Sequence, residues 1–306
     1  MPLLDTQETN VPTRSGGGFQ EGPFAGWKDK RAEILRIASA LDAGTDRQRS
    51  VARAMRDCCG LVGYLVCPQG HGGKVGWATY CKRRFCPICE RRAALLRAHA
   101  LYDRVSILLA AHPEWSLYLV SLTRRNVPEA ASMVDLILRP WRLLRKSRDW
   151  KTRPWGRVPA AFWGFEFTEQ GRGWHPHLHA LVVGPPGVTD GLLEQWCAQV
   201  GPDAQMEGQN AKEAENGLGA VLEVSKYLAK SHDLTEQQLR EGEDALVGRH
   251  VHGTFGALRG LVVPKEECQD PACEVCGAAM AEEVWRLQGE SVGYGRFMVD
   301  SVTVEV

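Results

Sequence analysis

The segment 174–183, WHPHLHALVV, places three histidines at intervals of two residues. On an extended chain alternate side chains share a face. His175, His177 and His179 therefore point one way, and Leu178, Ala180 and Val182 the other. Two imidazoles on one face can grip one divalent ion. Glu166 lies upstream in AFWGFEFT, ahead of a turn signalled by Gly171 and Gly173. A hairpin would bring its carboxylate beside the rings. Two nitrogens and one oxygen, with positions left open, make a catalytic metal site rather than a closed structural one. The competing reading is a polar strand edge with solvated histidines, and three within five residues weigh against it.

A second constellation lies in Gly219–Ser231, which contains Glu223, Lys226, Tyr227 and Lys230. Spacings of four and three put Glu223, Tyr227 and Lys230 on one helix face. A phenol with a pKa of about 10 is a poor nucleophile at neutral pH. An ammonium beside it favours the phenolate, and a carboxylate one turn away could take a proton from water. Alone, the pattern reads as an ordinary amphipathic helix with an ion pair. The histidines upstream make it a candidate site.

Ten cysteines without a leader pattern point to metal rather than to disulfides. Cys81, Cys86 and Cys89 form Cys-x4-Cys-x2-Cys, and Cys268, Cys273 and Cys276 repeat it. Three thiolates and one further ligand complete a zinc tetrahedron. Cys67 or His71 would complete the first set, with Cys67 preferred. For the second set Cys197, His250 and His252 are candidates. Cys58, Cys59 and Cys197 otherwise read as small core residues.

The chain carries 37 basic and 37 acidic residues, yet the charge is segregated. From Asp233 onward there are six Lys or Arg against fourteen Asp or Glu, leaving +8 on the residues before it. Arg139–Arg157 is basic with Trp141, Trp150 and Trp155 interleaved. Cations for phosphates and flat rings for bases suit a nucleic-acid strand. Arg142, Arg145, Lys146, Arg148, Lys151 and Arg153 are the expected contacts. The bland alternative is a solvated helix face with tryptophans turned inward.

Elements must position these groups. Helical spacing is read at 28–41, 47–59, 91–111, 133–146, 188–200 and 218–230. Short apolar, β-branched runs predict strands at 117–123, 161–168 and 178–183, with further candidates at 254–263 and 297–304. The expected fold class is α+β, with a largely antiparallel central sheet flanked by helices and a cysteine-rich zinc-binding segment. Composition divides the chain into an arm at 1–25, a helical and zinc-binding segment at 26–112, a core at 113–232, and an acidic portion at 233–306. At 44% apolar and 24% charged, the chain is ordinary for a globular protein. The apolar stretch at 105–122 is broken by His112, Pro113 and Glu114, so no membrane span is expected. No basic and apolar leader opens the sequence, and a cytoplasmic location is expected.

Three strings occur in the order LYLVSLTRRN, EFTEQGRGWHPHLHALVV and EVSKYLAKS. They resemble the three motifs of rolling-circle replication initiators of the His-hydrophobic-His (HUH) endonuclease superfamily. The upstream CKRRFCPICERRAALL is similar to the cysteine motif of the plasmid branch. The resemblance covers roughly 58–232. It implies His177 and His179 as paired metal ligands, Glu166 as the acidic ligand, and His175 as an accessory. It implies Tyr227 as nucleophile, Glu223 as the carboxylate replacing a second tyrosine, Lys230 as the basic residue after the nucleophile, and Thr123 as a support. The implied activity is metal-dependent nicking of one strand at a plasmid origin with Mg²⁺ or Mn²⁺. A 5′-phosphotyrosine and a free 3′-hydroxyl primer would result, with termination later. The implied partners are single-stranded or extruded origin DNA, a host helicase and a DNA polymerase. The helicase must be separate, since no G-x4-G-K-[ST] string is present. A transposase or relaxase would use the same metal and tyrosine. A zinc-dependent DNA-binding regulator without catalysis would leave the histidines and Glu166 idle.

Overall fold

The computed structural model describes residues 28–146, 160–169, 171–214, 217–225, 233–263, 271–288 and 293–297. Tyr227, Lys230, Cys268, Arg148, Lys151 and Arg153 lie outside these residues, as do Trp150, Trp155, the arm at 1–25 and the chain beyond 297. The helices are α1 (Lys28–Asp42), α2 (Asp46–Arg56), α3 (Pro87–Ala111), α4 (Ala130–Lys146), α5 (Leu192–Val200), α6 (Gly217–Ser225) and α7 (Glu236–Ala245). The strands are β1 (Leu61–Val66), β2 (Gly73–Ala78), β3 (Ser116–Thr123), β4 (Ala160–Glu169), β5 (Trp174–Gly184), β6 (Asn210–Glu213), β7 (His252–Gly256), β8 (Ala281–Gln288) and β9 (Gly293–Phe297). The class is α+β with antiparallel sheets and helices, as expected.

The chain divides into two compact units that interleave along the sequence. One takes 1–36, 53–81 and 266–306; the other takes 37–52 and 82–265. The first holds a four-stranded antiparallel sheet in the order β2-β1-β8-β9. The second holds a five-stranded antiparallel sheet in the order β6-β3-β5-β4-β7.

The five-stranded sheet is covered on both faces. On one, Leu117 of β3, Phe162 of β4 and Leu181 and Val183 of β5 pack with Leu101, Val105 and Leu108 of α3 and with Ala220, Val221 and Val224 of α6. The other face meets α4, whose Met133, Val134, Ile137 and Trp141 are buried. Strand alternation assigns Leu178, Ala180 and Val182 to that face. Burying both faces favours the apolar and aromatic run of β4 and the Leu- and Val-rich end of β5.

Several boundaries differ from the expected ones. α3 starts at Pro87, where a missing N–H costs nothing, with Cys86 at the N-cap. α5 starts at Leu192 rather than 188, because Gly187 and Gly191 take positive φ in the turns before it. β5 begins at Trp174, so all three histidines lie within the strand.

Candidate active site

The β4–β5 hairpin builds the site. Its turn is drawn tight by Glu169, whose Oε1 accepts from the amides of Gly171 and Gly173 at 3.0 Å each. Gly173 has φ +87°, and a Cβ there would stand 2.8 Å from the Val127 carbonyl oxygen. A side chain at this position would press on the reciprocal 2.8 Å bonds between Val127 and Trp174, which tie the segment after β3 to the start of β5. The resulting register opposes Glu166 to His177, Gly164 to His179 and Thr168 to His175. On the other side of β5, Thr123 opposes His177 and Ser121 opposes His179.

Burial alternates along 174–179, with Trp174, Pro176 and Leu178 buried and the three histidines half-buried between them. One sheet face therefore has two characters. Its apolar end lies under α3 and α6. Its polar end presents Ser121, Thr123, Glu166, His175, His177 and His179, which share parity with the apolar residues. Glu166 Oε2 lies 3.1 Å from Nε2 of His179. The rings of His175 and His177 are 4.6 Å apart between centroids, and those of His177 and His179 are 5.9 Å apart.

Two residues not anticipated from the sequence orient the imidazoles. Asn126 Nδ2 donates to the carbonyls of Arg172 and Gly173, at 3.1 and 3.4 Å. That leaves its Oδ1 to accept from Nδ1 of His175 at 2.7 Å. The Nε2 lone pair of His175 is then available. Burial pushes the His175 pKa below its ordinary value, which favours the neutral, ligand-competent ring. Ser121 Oγ lies 3.0 Å from Nδ1 of His179. With the proton on Nδ1, His179 donates to Ser121 and offers Nε2 toward Glu166 and a cation. The signal for Ser121 was present: it lies two residues before Thr123 on a strand of period two.

α6 comes close to this part of the sheet. A Cβ on Gly164 would stand 3.2 Å from the Val224 carbonyl oxygen, so the helix backbone passes over β4 at the register partner of His179. Val221, Val224 and Ser225 are buried, Glu223 is half-buried, and Leu222 is exposed. Tyr227 follows Ser225 by two residues and, with Lys226 and Lys230, lies outside the described residues.

The expected cysteine sets are corrected. Cys67 does not complete the first set. It lies with His71, Cys273 and Cys276, their ligand atoms all within 4.8 Å of one another. These four could hold a metal ion. Cys197, His250 and His252 are not needed for the second set. The reason is topological: β1 runs between β2 and β8, bringing residues that flank β1 beside those preceding β8. Cys81 falls in the first unit, where its Sγ lies within 4.8 Å of that of buried Cys58. Cys86 and Cys89 fall in the second unit, also within 4.8 Å of each other.

The basic stretch is corrected in part. Trp141 is 1% exposed, so its ring packs in the core and cannot stack on a base. Arg142 and Lys146 are exposed. The Arg145 guanidinium lies 5.5 Å from the Trp141 ring centre, 5.8 Å from that of Trp163 and 5.3 Å from that of Phe255. It is held by aromatic rings within the fold. Among the described residues, no helix is long and apolar enough to cross a membrane.

Comparison with known proteins adds to this geometry. Residues 72–195 match a family described as "Replication protein". The match takes in Cys81, Cys86, Cys89, Glu166 and the three histidines, and ends before α6. A "Protein rep" of Streptococcus pneumoniae serotype 2 (strain D39 / NCTC 7466) is 22% identical over 233 residues, covering 69% of this chain and 69% of the relative. A "Protein rep" of Bacillus amyloliquefaciens is 24% identical over 283 residues, covering 77% of this chain and 80% of the relative. No solved structure matches. The histidine and glutamate face thus lies inside the segment that is similar to the replication protein family, and two replication proteins are similar to most of the chain.

Proposed function

We propose that this chain is a plasmid replication initiator that nicks one DNA strand at its origin and becomes covalently attached to it. The observation that carries the reading is the register of the hairpin. It opposes Glu166 to His177 and places His179 Nε2 3.1 Å from the Glu166 carboxylate, on one face and inside the family segment.

The donor set fits a divalent cation. Two imidazoles and a carboxylate converge from adjacent strands, and Ser121 can hold the proton of His179 on the far nitrogen. His177, His179 and Glu166 would hold Mg²⁺ or Mn²⁺, with His175 beside them. Such an ion supplies Lewis-acid stabilisation of the scissile phosphate and a template for its orientation. Imidazole ligands suit Mn²⁺ better than Mg²⁺, so Mn²⁺ should serve at least as well in vitro.

Tyr227 is the nucleophile in this reading. Its phenolic oxygen, deprotonated with the help of Lys230, forms a bond to phosphorus as the bond to the 3′ oxygen breaks. The products are a 5′-phosphotyrosine and a 3′-hydroxyl, which takes up a proton and primes synthesis. The position of Val224 over Gly164 supports the assignment, because the chain leaves α6 close to the histidine end of the sheet. Glu223, on the same helix, would activate water when Tyr227 is already esterified. Strand positioning falls to Arg142 and Lys146, with Arg148, Lys151 and Arg153 following in sequence. Cys81, Cys86 and Cys89 are proposed as zinc ligands from their spacing. A host helicase and polymerase would act with the protein in the cytoplasm.

The test is a labelled single-stranded origin oligonucleotide with Mn²⁺ and a denaturing gel. A covalent adduct is expected with the native chain and none with Tyr227→Phe. DNA binding without any adduct would replace this reading with a non-catalytic binding protein.

A further inference from the structure

We propose that Cys67, His71, Cys273 and Cys276 form a structural zinc site that fastens β8 and β9 to the β1–β2 hairpin. The proposal stands apart from the nicking reading, since it concerns the first unit alone.

The four ligand atoms lie within 4.8 Å of one another, and three of their separations can be compared with the edges of a zinc tetrahedron. Cys67 Sγ lies 3.6 Å from Cys276 Sγ and 3.6 Å from His71 Nδ1, and Cys273 Sγ lies 3.8 Å from His71 Nδ1. A zinc ion with bonds of ~2.3 Å to sulfur and ~2.05 Å to nitrogen has tetrahedral edges of about 3.8 Å between sulfurs and about 3.6 Å between sulfur and nitrogen. The observed separations agree. A disulfide needs its sulfurs at ~2.05 Å, far closer than those of Cys67 and Cys276. With four protein ligands no position is left open for substrate, so the site is structural.

Each half of the site is a tight turn. In the first, the Cys67 amide donates to the Gly72 carbonyl at 2.9 Å and the Gly70 amide to the Cys67 carbonyl at 3.0 Å. In the second, the Cys273 amide donates to the Ala278 carbonyl and the Gly277 amide to the Cys273 carbonyl, both at 2.8 Å. Gly70, Gly72 and Gly277 all take positive φ. The sheet register then sets the two turns side by side, because Val66 pairs with Gly73 on one flank and with Ala281 on the other. Lys74 and Glu274 add an ion pair between the turns at 3.3 Å.

The strand that follows explains why an ion is needed. None of Ala281–Leu287 is buried, and Glu282, Glu283 and Arg286 make up three of these seven residues. Val284, Trp285 and Leu287 are only half-buried, so the apolar side chains of β8 stay partly in water, and backbone hydrogen bonds alone contribute modestly. Zinc binding contributes folding free energy directly, and here it closes a connection of roughly two hundred residues between the two turns. The acidic C-terminal portion thereby contains a metal-dependent strand pair.

The full-length chain would be assayed for zinc by elemental analysis and, after exchange, by the cobalt(II) spectrum. The double variant Cys273→Ser/Cys276→Ser should lose one equivalent of zinc per chain relative to the native protein. His71→Ala should lose the same equivalent, and His71→Cys should restore it. Chelator should speed proteolysis at 264–280 in the native chain while sites in β3–β5 stay protected. Unchanged metal content in both the double variant and His71→Ala would overturn the proposal, as would a Cys67–Cys276 disulfide in the purified protein. Should the double variant not fold, the cobalt titration of the native chain decides. Tetrahedral bands of a three-sulfur site that His71→Ala weakens support the site, and their persistence in His71→Ala overturns it. These readouts register metal and strand order, so a chain that never nicks DNA can still pass or fail them.

Discussion

Ser121 and Asn126 act on the site through the far nitrogens of two histidines. Neither is ionisable. Asn126 selects a tautomer, since its Oδ1 accepts from His175 at 2.7 Å, and Ser121 Oγ, 3.0 Å from Nδ1 of His179, is placed to accept a proton there. Residues of this kind typically contribute about 10- to 100-fold in metal affinity or activity. Ser121→Ala should therefore raise the Mn²⁺ concentration needed for half-maximal nicking by about that factor, with activity recovered at high Mn²⁺. Activity lost at every Mn²⁺ concentration would show that Ser121 does something other than orient His179. His177→Ala or His179→Ala should abolish nicking and keep duplex binding, measured by gel shift on the same origin fragment. Loss of all DNA affinity in a folded variant would count against the metal assignment. Glu223→Ala separates the proposed role of Glu223 from that of Tyr227. It should still form the tyrosine adduct but leave plasmid products running on as multimers, because no base activates water at termination. An equal, small loss of initiation and termination would reduce Glu223 to an ion-pair partner.

At the scale of elements the sheet and α6 are fitted to each other at one glycine. A methyl at residue 164 would stand 3.2 Å from a backbone carbonyl, and backbone cannot swing aside as a side chain can. Gly164→Ala should displace the end of α6 by a few tenths of an ångström, destabilise by about 1–3 kcal/mol, and lower adduct formation by up to about 10²-fold. Mn²⁺ affinity should change little, because Glu166 and the histidines lie on β4 and β5. A fully active Gly164→Ala chain would mean that α6 does not set the position of the nucleophile. The hairpin itself was legible in the sequence, since strict alternation in WHPHLHA and paired glycines leave few other structures open. The four-stranded sheet was not. β2, GKVGWA, has two glycines and little apolar alternation, and β8, AEEVWRLQ, carries charges that suit a helix as well as a strand. Their pairing depends on partners far along the chain. For the same reason the cysteine spacing singled out Cys273 and Cys276, which the structure brings together, but could not find Cys67 and His71 as their companions.

At the scale of the whole molecule, a net charge of zero conceals +8 before Asp233 and −8 from there on. Binding to a phosphate chain responds to local charge, so affinity should fall steeply with salt despite a neutral total. Three neighbouring cations differ in their surroundings. Arg142 and Lys146 are exposed at the end of α4, whereas Arg145 is half-buried among Trp141, Trp163 and Phe255, and desolvation lowers its pKa. Each exposed cation that meets a single-stranded phosphate should add about 0.7 to the slope of log affinity against log salt. Arg142→Ala and Lys146→Ala should each flatten that slope by about 0.7 and leave the melting temperature unchanged. Arg145→Ala should do the reverse. It removes a guanidinium worth about 0.5–2 kcal/mol against aromatic rings, lowering the melting temperature while changing the slope little. Salt titrations on one oligonucleotide, run beside thermal melts of the three variants, give both readings. If Arg145→Ala flattens the slope as much as Arg142→Ala at constant stability, the guanidinium leaves its ring cluster for DNA, and the assignment of Arg145 to the fold rather than to the strand is wrong.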